Sequence, residues 1–274
     1  SLAVTSAEST VGAILEAEPN VIIHLAGISH INEAQAGPFR AFDVNVIGTL
    51  NVMRGAAKLK NTKLYPPHVV VASSNHVYGS HPGMSARTEE APLNQLDIYG
   101  ASKHCGDVMV RSLGLALHIP TVALRHVNAY GPYNPHESHI TNAAILAAIK
   151  GEPLRLRGDG SARKGYLYAD DVAASYLLLA QHACDLNVVG RALNAADLGE
   201  PPSVLEWVMA INSVAEEKGL KPQPPICLPA GQGEQAGYFE RLDASELRKW
   251  TGWSPQTLIT QGIEKTINWW RARA

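Results

Sequence analysis

The chain has 274 residues, enough to bury a sizeable core in one large or two modest domains. Lys and Arg number 23 against 25 Asp and Glu, a net charge of -2 with no basic run, which argues against a nucleic-acid partner. Three scattered cysteines, Cys105, Cys184 and Cys227, suit reduced thiols rather than a disulfide framework. No apolar run reaches membrane-spanning length, and the start SLAVTSAEST lacks the basic and apolar regions of a secretion signal, so no membrane partner and a cytoplasmic location are expected.

In chain order, apolar runs at 21–25, 69–72 and 121–124 predict strands. Helical spacing predicts helices over 42–59, 99–117, 141–150, 170–181, 203–218 and 258–271. Strands alternating with helices imply an α/β protein with a parallel sheet. Loops rich in Pro and Gly cover 79–97 and 222–237, and no internal repeat or low-complexity tract interrupts the pattern.

Two short segments carry the chemistry: SSNHVYG at 73–79 and YGASK at 99–103. Tyr99 and Lys103 are four residues apart in a predicted helix, so phenol and ammonium share one face. A phenol of ordinary pKa near about 10 is a poor base at neutral pH, and a neighbouring cation favours its phenolate. Ser74 follows the apolar run 68–72, at a strand's carboxyl end, where open α/β sheets hold their ligands. The three groups together could take the proton of an alcohol while a hydride leaves its carbon. His136 and His139 in NPHESH lack a supporting Cys or carboxylate set, so no metal is expected. Trp269 and Trp270 read as packing residues.

With these segments the chain resembles an extended short-chain dehydrogenase/reductase of the NAD-dependent epimerase/dehydratase kind, which acts mostly on nucleotide sugars. VIIHLAG (21–27) resembles the family's fourth strand and VNVIGTLNV (44–52) the helix after it. ALRHVNAYGP (123–132) resembles the sixth strand and the turn into the substrate domain. GDGSARKGYLYADDVA (158–173) and LDASELRKWTGWSP (242–255) are similar to later family segments, in family order. The resemblance implies a Rossmann-like doubly wound parallel sheet with a smaller C-terminal α/β substrate domain. The partial NAD(P)-binding part would be 1–129 plus about 171–195, the substrate part 130–168 plus 196–255, and 256–274 a closing helix.

The family's first strand runs into a G-x-x-G-x-x-G turn that holds the cofactor pyrophosphate, and these 274 residues contain no such turn. The chain opens where the family's third strand ends, so roughly 55 to 65 residues of βαβαβ are unaccounted for. The expectation is a piece of a longer protein, with an apolar sheet edge at Val21 and weak NAD binding by the 274 residues alone.

The resemblance also assigns roles. Tyr99 matches the family base, Lys103 its pKa-lowering and ribose-binding partner, and Ser74 the hydroxyl that bonds the reacting oxygen. His24, Ala26, Gly27 and Ser29 fall where the family lines the cofactor's ribose and phosphates, and Asn45 in the helix beneath it. Asn128, with the backbone of His126 and Val127, matches positions that meet substrate phosphate and nicotinamide amide. Lys164 stands where the family carries a phosphate-binding arginine, keeping the charge but losing the bidentate fork. Dehydratases of the family carry an Asp-Glu pair where this chain has Asn75 and His76, and Asn cannot titrate. His76 could still act as acid or base, and SSNH also resembles the corresponding segment of uronate dehydrogenases. The resulting expectation is an NAD- or NADP-dependent epimerase of a nucleotide sugar, acting as a homodimer through a transient keto-sugar. A 4,6-dehydratase, a ketosugar reductase, a uronate dehydrogenase and a cofactor-free sugar-nucleotide binding or regulatory protein are the alternatives.

Overall fold

The computed structural model describes residues 3–62, 65–79, 85–95, 97–182, 190–197, 199–229 and 238–273. Cys184 and parts of the loops expected at 79–97 and 222–237 lie outside the described residues. Helix α1 (Ala7–Ala17) starts where the Ser6 hydroxyl oxygen accepts from the Ser9 amide, and it leads into β1 (Val21–His24). Two short helices, α2 (Ile31–Ala36) and α3 (Pro38–Phe42), run into a π-helical turn, Asp43–Ile47, and then α4 (Gly48–Lys60). The single helix expected at 42–59 is thus divided. Strand β2 (His68–Ala72) feeds a 3-10 turn, Asn75–Tyr78, and the chain returns in the long α5 (Ile98–Leu117). Asp97 caps α5 by accepting from the Gly100 amide, and His118 ends it in the left-handed conformation at φ 51°. There follow β3 (Thr121–His126), β4 (Asn128–Tyr130), α6 (Ile140–Lys150), β5 (Tyr166–Tyr168), α7 (Ala169–His182) and β6 (Arg191–Ala195). Then come α8 (Val204–Glu217), α9 (Ser245–Thr251) and α10 (Ile259–Arg271).

Four strands form one parallel sheet in the order β1-β2-β3-β6, so the expected α/β class is borne out. Apolar residues alternate between its faces. Val69 and Val71 of β2 pack with Val52, Met53 and Ala56 of α4 and Val110 of α5. Val70, together with Val122 and Leu124 of β3 and Leu193 of β6, packs with Val172, Tyr176 and Leu179 of α7 and Leu247 of α9. Helices therefore cover both faces, which is why β2 reads as a continuous apolar run. β6 escapes a hydropathy reading because Arg191 and Asn194 interrupt it, and Asn194 is buried only by virtue of its hydrogen bonds. β1 ends the sheet, with Leu25 beyond it 59% exposed.

A second core gathers α6, α8 and α10 around the parallel pair β4-β5, through Ile145, Trp207, Ile211, Ile263 and Ile267. The Ser203 and Glu206 capping box starts α8. Among the described residues no helix is long and apolar enough to cross a membrane.

Candidate active site

The carboxyl ends of β1, β2 and β3 and the first turns of α5 meet at one place. Ser74 follows β2, and its Oγ accepts from the His76 amide at 3.2 Å while its hydroxyl donates to Asn75 Oδ1 at 3.2 Å. The Asn75 Nδ2 group is buried with no hydrogen-bond partner among the described residues. His76 packs edge-on against Tyr99, ring centroids 5.3 Å apart.

Tyr99 and Lys103 share a helix face, as their spacing requires, but their environment sets the electrostatics. Burial dominates at Tyr99 and pushes its phenol up to about 12; the bonded Ser74 hydroxyl pulls it down, and Asp97 and Glu240 push it further up. The Lys103 ammonium donates to the Ala72 carbonyl at 2.9 Å, and burial lowers it to about 8. The phenol is thus raised where the Tyr-Lys spacing predicts it lowered, and burial is the first cause.

The turn after β1 is pinned by Asn45, which the π-helical turn swings inward. Asn45 Oδ1 accepts from the Ile28 amide at 2.8 Å, and Nδ2 donates to the Ile28 carbonyl and to Ser102 Oγ. A Cβ on Gly27 would lie 2.9 Å from Asn45 Oδ1 and 3.2 Å from Lys103 Nζ, so only glycine fits there without displacing one of them. Ala26, Gly27 and Ser29 are exposed. His24 is buried behind them. Thr49 donates to the Asn45 carbonyl, so its oxygen accepts from His24 Nε2 at 3.1 Å. Burial, and secondarily Lys103, lower the His24 imidazole to about 4.

His126 Nδ1 donates to the Val127 carbonyl at 2.8 Å, leaving Nε2 as an acceptor, and burial lowers its pKa. The Val127 amide is spent on the Ala195 carbonyl at 3.2 Å, and its side chain is core. Asn128 Nδ2 donates to the Gly165 carbonyl and to Glu240 Oε2, so this amide offers a ligand its oxygen and not its donors. The Lys164 ammonium lies 5.8 Å from the centre of the Tyr238 ring.

Three groups that sequence reasoning did not single out support this arrangement. Arg125, fully buried in β3, holds Asp107 of α5 through two hydrogen bonds of 2.9 and 3.0 Å. Asp107 also accepts from Ser73 at 2.7 Å, which ties the end of β2 to α5 one residue before Ser74. Glu240 is buried beside Asn128, and nothing in the local sequence marks it. His136 and His139 do gather, with His30, as three ring contacts of 5.0 to 5.5 Å. Among the described residues no group of three His, Cys, Asp or Glu is arranged to hold a metal ion.

The chain as a whole is similar to known proteins. A dTDP-glucose 4,6-dehydratase of Neisseria meningitidis serogroup B is 29% identical over 266 residues, covering 92% of this chain and 72% of the relative. A UDP-glucose 4-epimerase of Thermotoga maritima superposes with a TM-score of 0.86 at 19% identity, over 99% of this chain and 83% of that one. A Thermus thermophilus UDP-glucose 4-epimerase in complex with NAD is 25% identical with a TM-score of 0.82, over 100% of this chain and 84% of that one. The model of the NAD dependent epimerase/dehydratase family matches residues 1–196, so the chain belongs to that family of NAD-dependent enzymes.

Proposed function

We propose that the protein oxidises a hydroxyl of a nucleotide-linked sugar and returns the hydride to the other face, as an epimerase. The observation that carries this reading is the meeting of Ser74, Tyr99 and Lys103 at the carboxyl end of β2. The residues present fit a nicotinamide dinucleotide: Gly27 keeps the end of β1 free of a side chain beside the Lys103 ammonium, which is where ribose hydroxyls would find a donor. Such a cofactor supplies the hydride acceptor. In this reading 1–129 with about 171–195 bind the cofactor, and 130–168 with 196–255 bind the sugar nucleotide.

The chain's own residues manage the proton. Tyr99 takes it from the substrate oxygen and gives it back, and Ser74 holds that oxygen in place. A phenol held near about 12 releases its proton reluctantly, so the ammonium of Lys103 on the same face is needed to favour the phenolate during the transfer. Asn75 supplies neither acid nor base, and its oxygen is engaged by Ser74, which favours epimerisation over loss of water.

The dTDP-glucose 4,6-dehydratase relatives favour a second reading, in which His76, against the Tyr99 ring, does the acid-base work of dehydration. Mass spectrometry of products formed from nucleotide hexoses in heavy water separates the two. Epimer without a 4-keto-6-deoxy product is expected. Accumulation of a species one water lighter and carrying solvent deuterium would overturn the epimerase reading, and net NADH release with a uronic acid would mark a dehydrogenase.

A further inference from the structure

On the substrate side of this site stands a carboxyl group with half of its bonding unspent. Glu240 is 1% exposed. Its Oε2 accepts from Asn128 Nδ2 at 3.0 Å, while Oε1 is buried with no hydrogen-bond partner among the described residues. A buried acceptor left unbonded is costly, and native proteins rarely leave one without a use. Asn128 spends its Nδ2 on Glu240 Oε2 and, at 3.1 Å, on the Gly165 carbonyl, and so leaves Oε1 without a donor.

Glu240 also lines a cavity of about 50 Å³ together with Val127, Gly165, Ala196, Pro202 and Ile259. That space has room for a few water-sized groups. The other charged groups lining it are Asp197, Glu200 and Arg241, and the single cation among them is paired with Glu200. The polarity of the cavity therefore suits a donor. Val127 and Ala196, the residues that follow β3 and β6, place the cavity at the carboxyl end of the sheet.

We propose that this cavity is a substrate subsite that receives a hydrogen-bond donor of the sugar, a ring hydroxyl or an amino group, on Glu240 Oε1; the proposal rests on the nucleotide-sugar reading above. Glu240 is then a specificity-determining residue. A phosphate or carboxylate oxygen placed against Glu240 Oε1 would meet another acceptor and be rejected.

Glu240→Gln tests it. The Gln oxygen can keep the bond from Asn128, and its amide nitrogen then puts a donor where the free acceptor was, at nearly equal size. Affinities of the 274-residue chain and the variant for UDP-glucose, dTDP-glucose, UDP and dTDP are measured by calorimetry, with the melting temperature alongside. The sugar nucleotide that binds should lose about 10-fold or more, its sugar-free nucleoside diphosphate less than about 2-fold, and the melting temperature should hold or rise. Equal losses for both ligands, or unchanged affinity for the sugar nucleotide, would overturn the subsite and leave the nucleotide-sugar reading standing. A lower melting temperature with affinity intact would make Glu240 structural and overturn it likewise. Failure of the unmutated chain to bind any of the four would overturn both readings.

Discussion

At Tyr99 two effects compete, and their sizes decide the outcome. Burial disfavours the phenolate and is the larger effect, while the hydrogen bond with Ser74 favours it. The phenol is therefore held near about 12 and the Lys103 ammonium near about 8. Tyr99→Phe removes the proton carrier while leaving the Ala72 carbonyl bond of Lys103 untouched. In an enzyme with measurable turnover, kcat should fall by roughly 100-fold or more with NAD affinity nearly unchanged. Lys103→Ala should weaken both. Turnover that survives in the Phe variant would move the proton chemistry to His76, the ring against which Tyr99 packs.

Helix α5 carries much of the site, and its seating depends on two features of opposite character. Gly114 faces β3 so closely that a Cβ there would lie 1.9 Å from Thr121 Oγ1 and 2.8 Å from its Cγ2. Gly114→Ala gains up to about 1 kcal/mol of helix propensity and should still destabilise, since overpacking typically costs about 1–3 kcal/mol. Urea unfolding reads the difference. The second feature is the Arg125–Asp107 pair, both side chains fully buried. Asp107→Asn leaves a guanidinium buried without its charge partner, and the expected loss is about 3–5 kcal/mol. A variant as stable as the parent in the same urea titration would show that Tyr78 and the Glu89 carbonyl alone satisfy Arg125. The sequence marks α5 well through its length and apolar spacing. It does not mark the division of the helix expected at 42–59, because the π-helical turn at Asp43–Ile47 is stabilised by what Asn45 bonds across the sheet end rather than by local propensity.

Over the whole molecule, buried titratable groups set how stability follows pH. His24 and His139 are lowered to about 4 in the fold, burial being the first cause for each. Between pH 4 and 6.5 the unfolded chain binds protons at these positions and the folded chain does not, so stability rises with pH across that window and is lost on acidification. His139 is partly exposed and contributes less than His24, while His126, also lowered by burial, adds in the same direction. Asp107, lowered by Arg125 against the opposing effect of burial, adds a further loss below pH about 4. Lys103 acts in a second window: neutral in the fold above about 8 and charged in the unfolded chain up to about 10.5, it makes stability rise again with pH there. Melting temperatures from about pH 4 to about pH 10 should show both rises. His24→Gln should reduce the lower rise and Lys103→Met flatten the upper, and a parent curve that is flat between pH 4 and 6.5 would refute the neutral burial of His24.

The sequence by itself determined the α/β class, the parallel strands β1 to β3, the family, and the grouping of Ser74, Tyr99 and Lys103. Those features rest on period, run length and short spacings, which neighbouring residues encode. Tertiary structure alone decided the direction of the Tyr99 shift, the burial of Asn194 in β6, the orientation of the Asn128 amide and the unspent oxygen of Glu240. Asn128 and Glu240 are 112 residues apart, and Asn194 and Tyr78 are 116 apart. Burial and hydrogen-bond choice are sums over such distant partners, and no local pattern in the chain carries them.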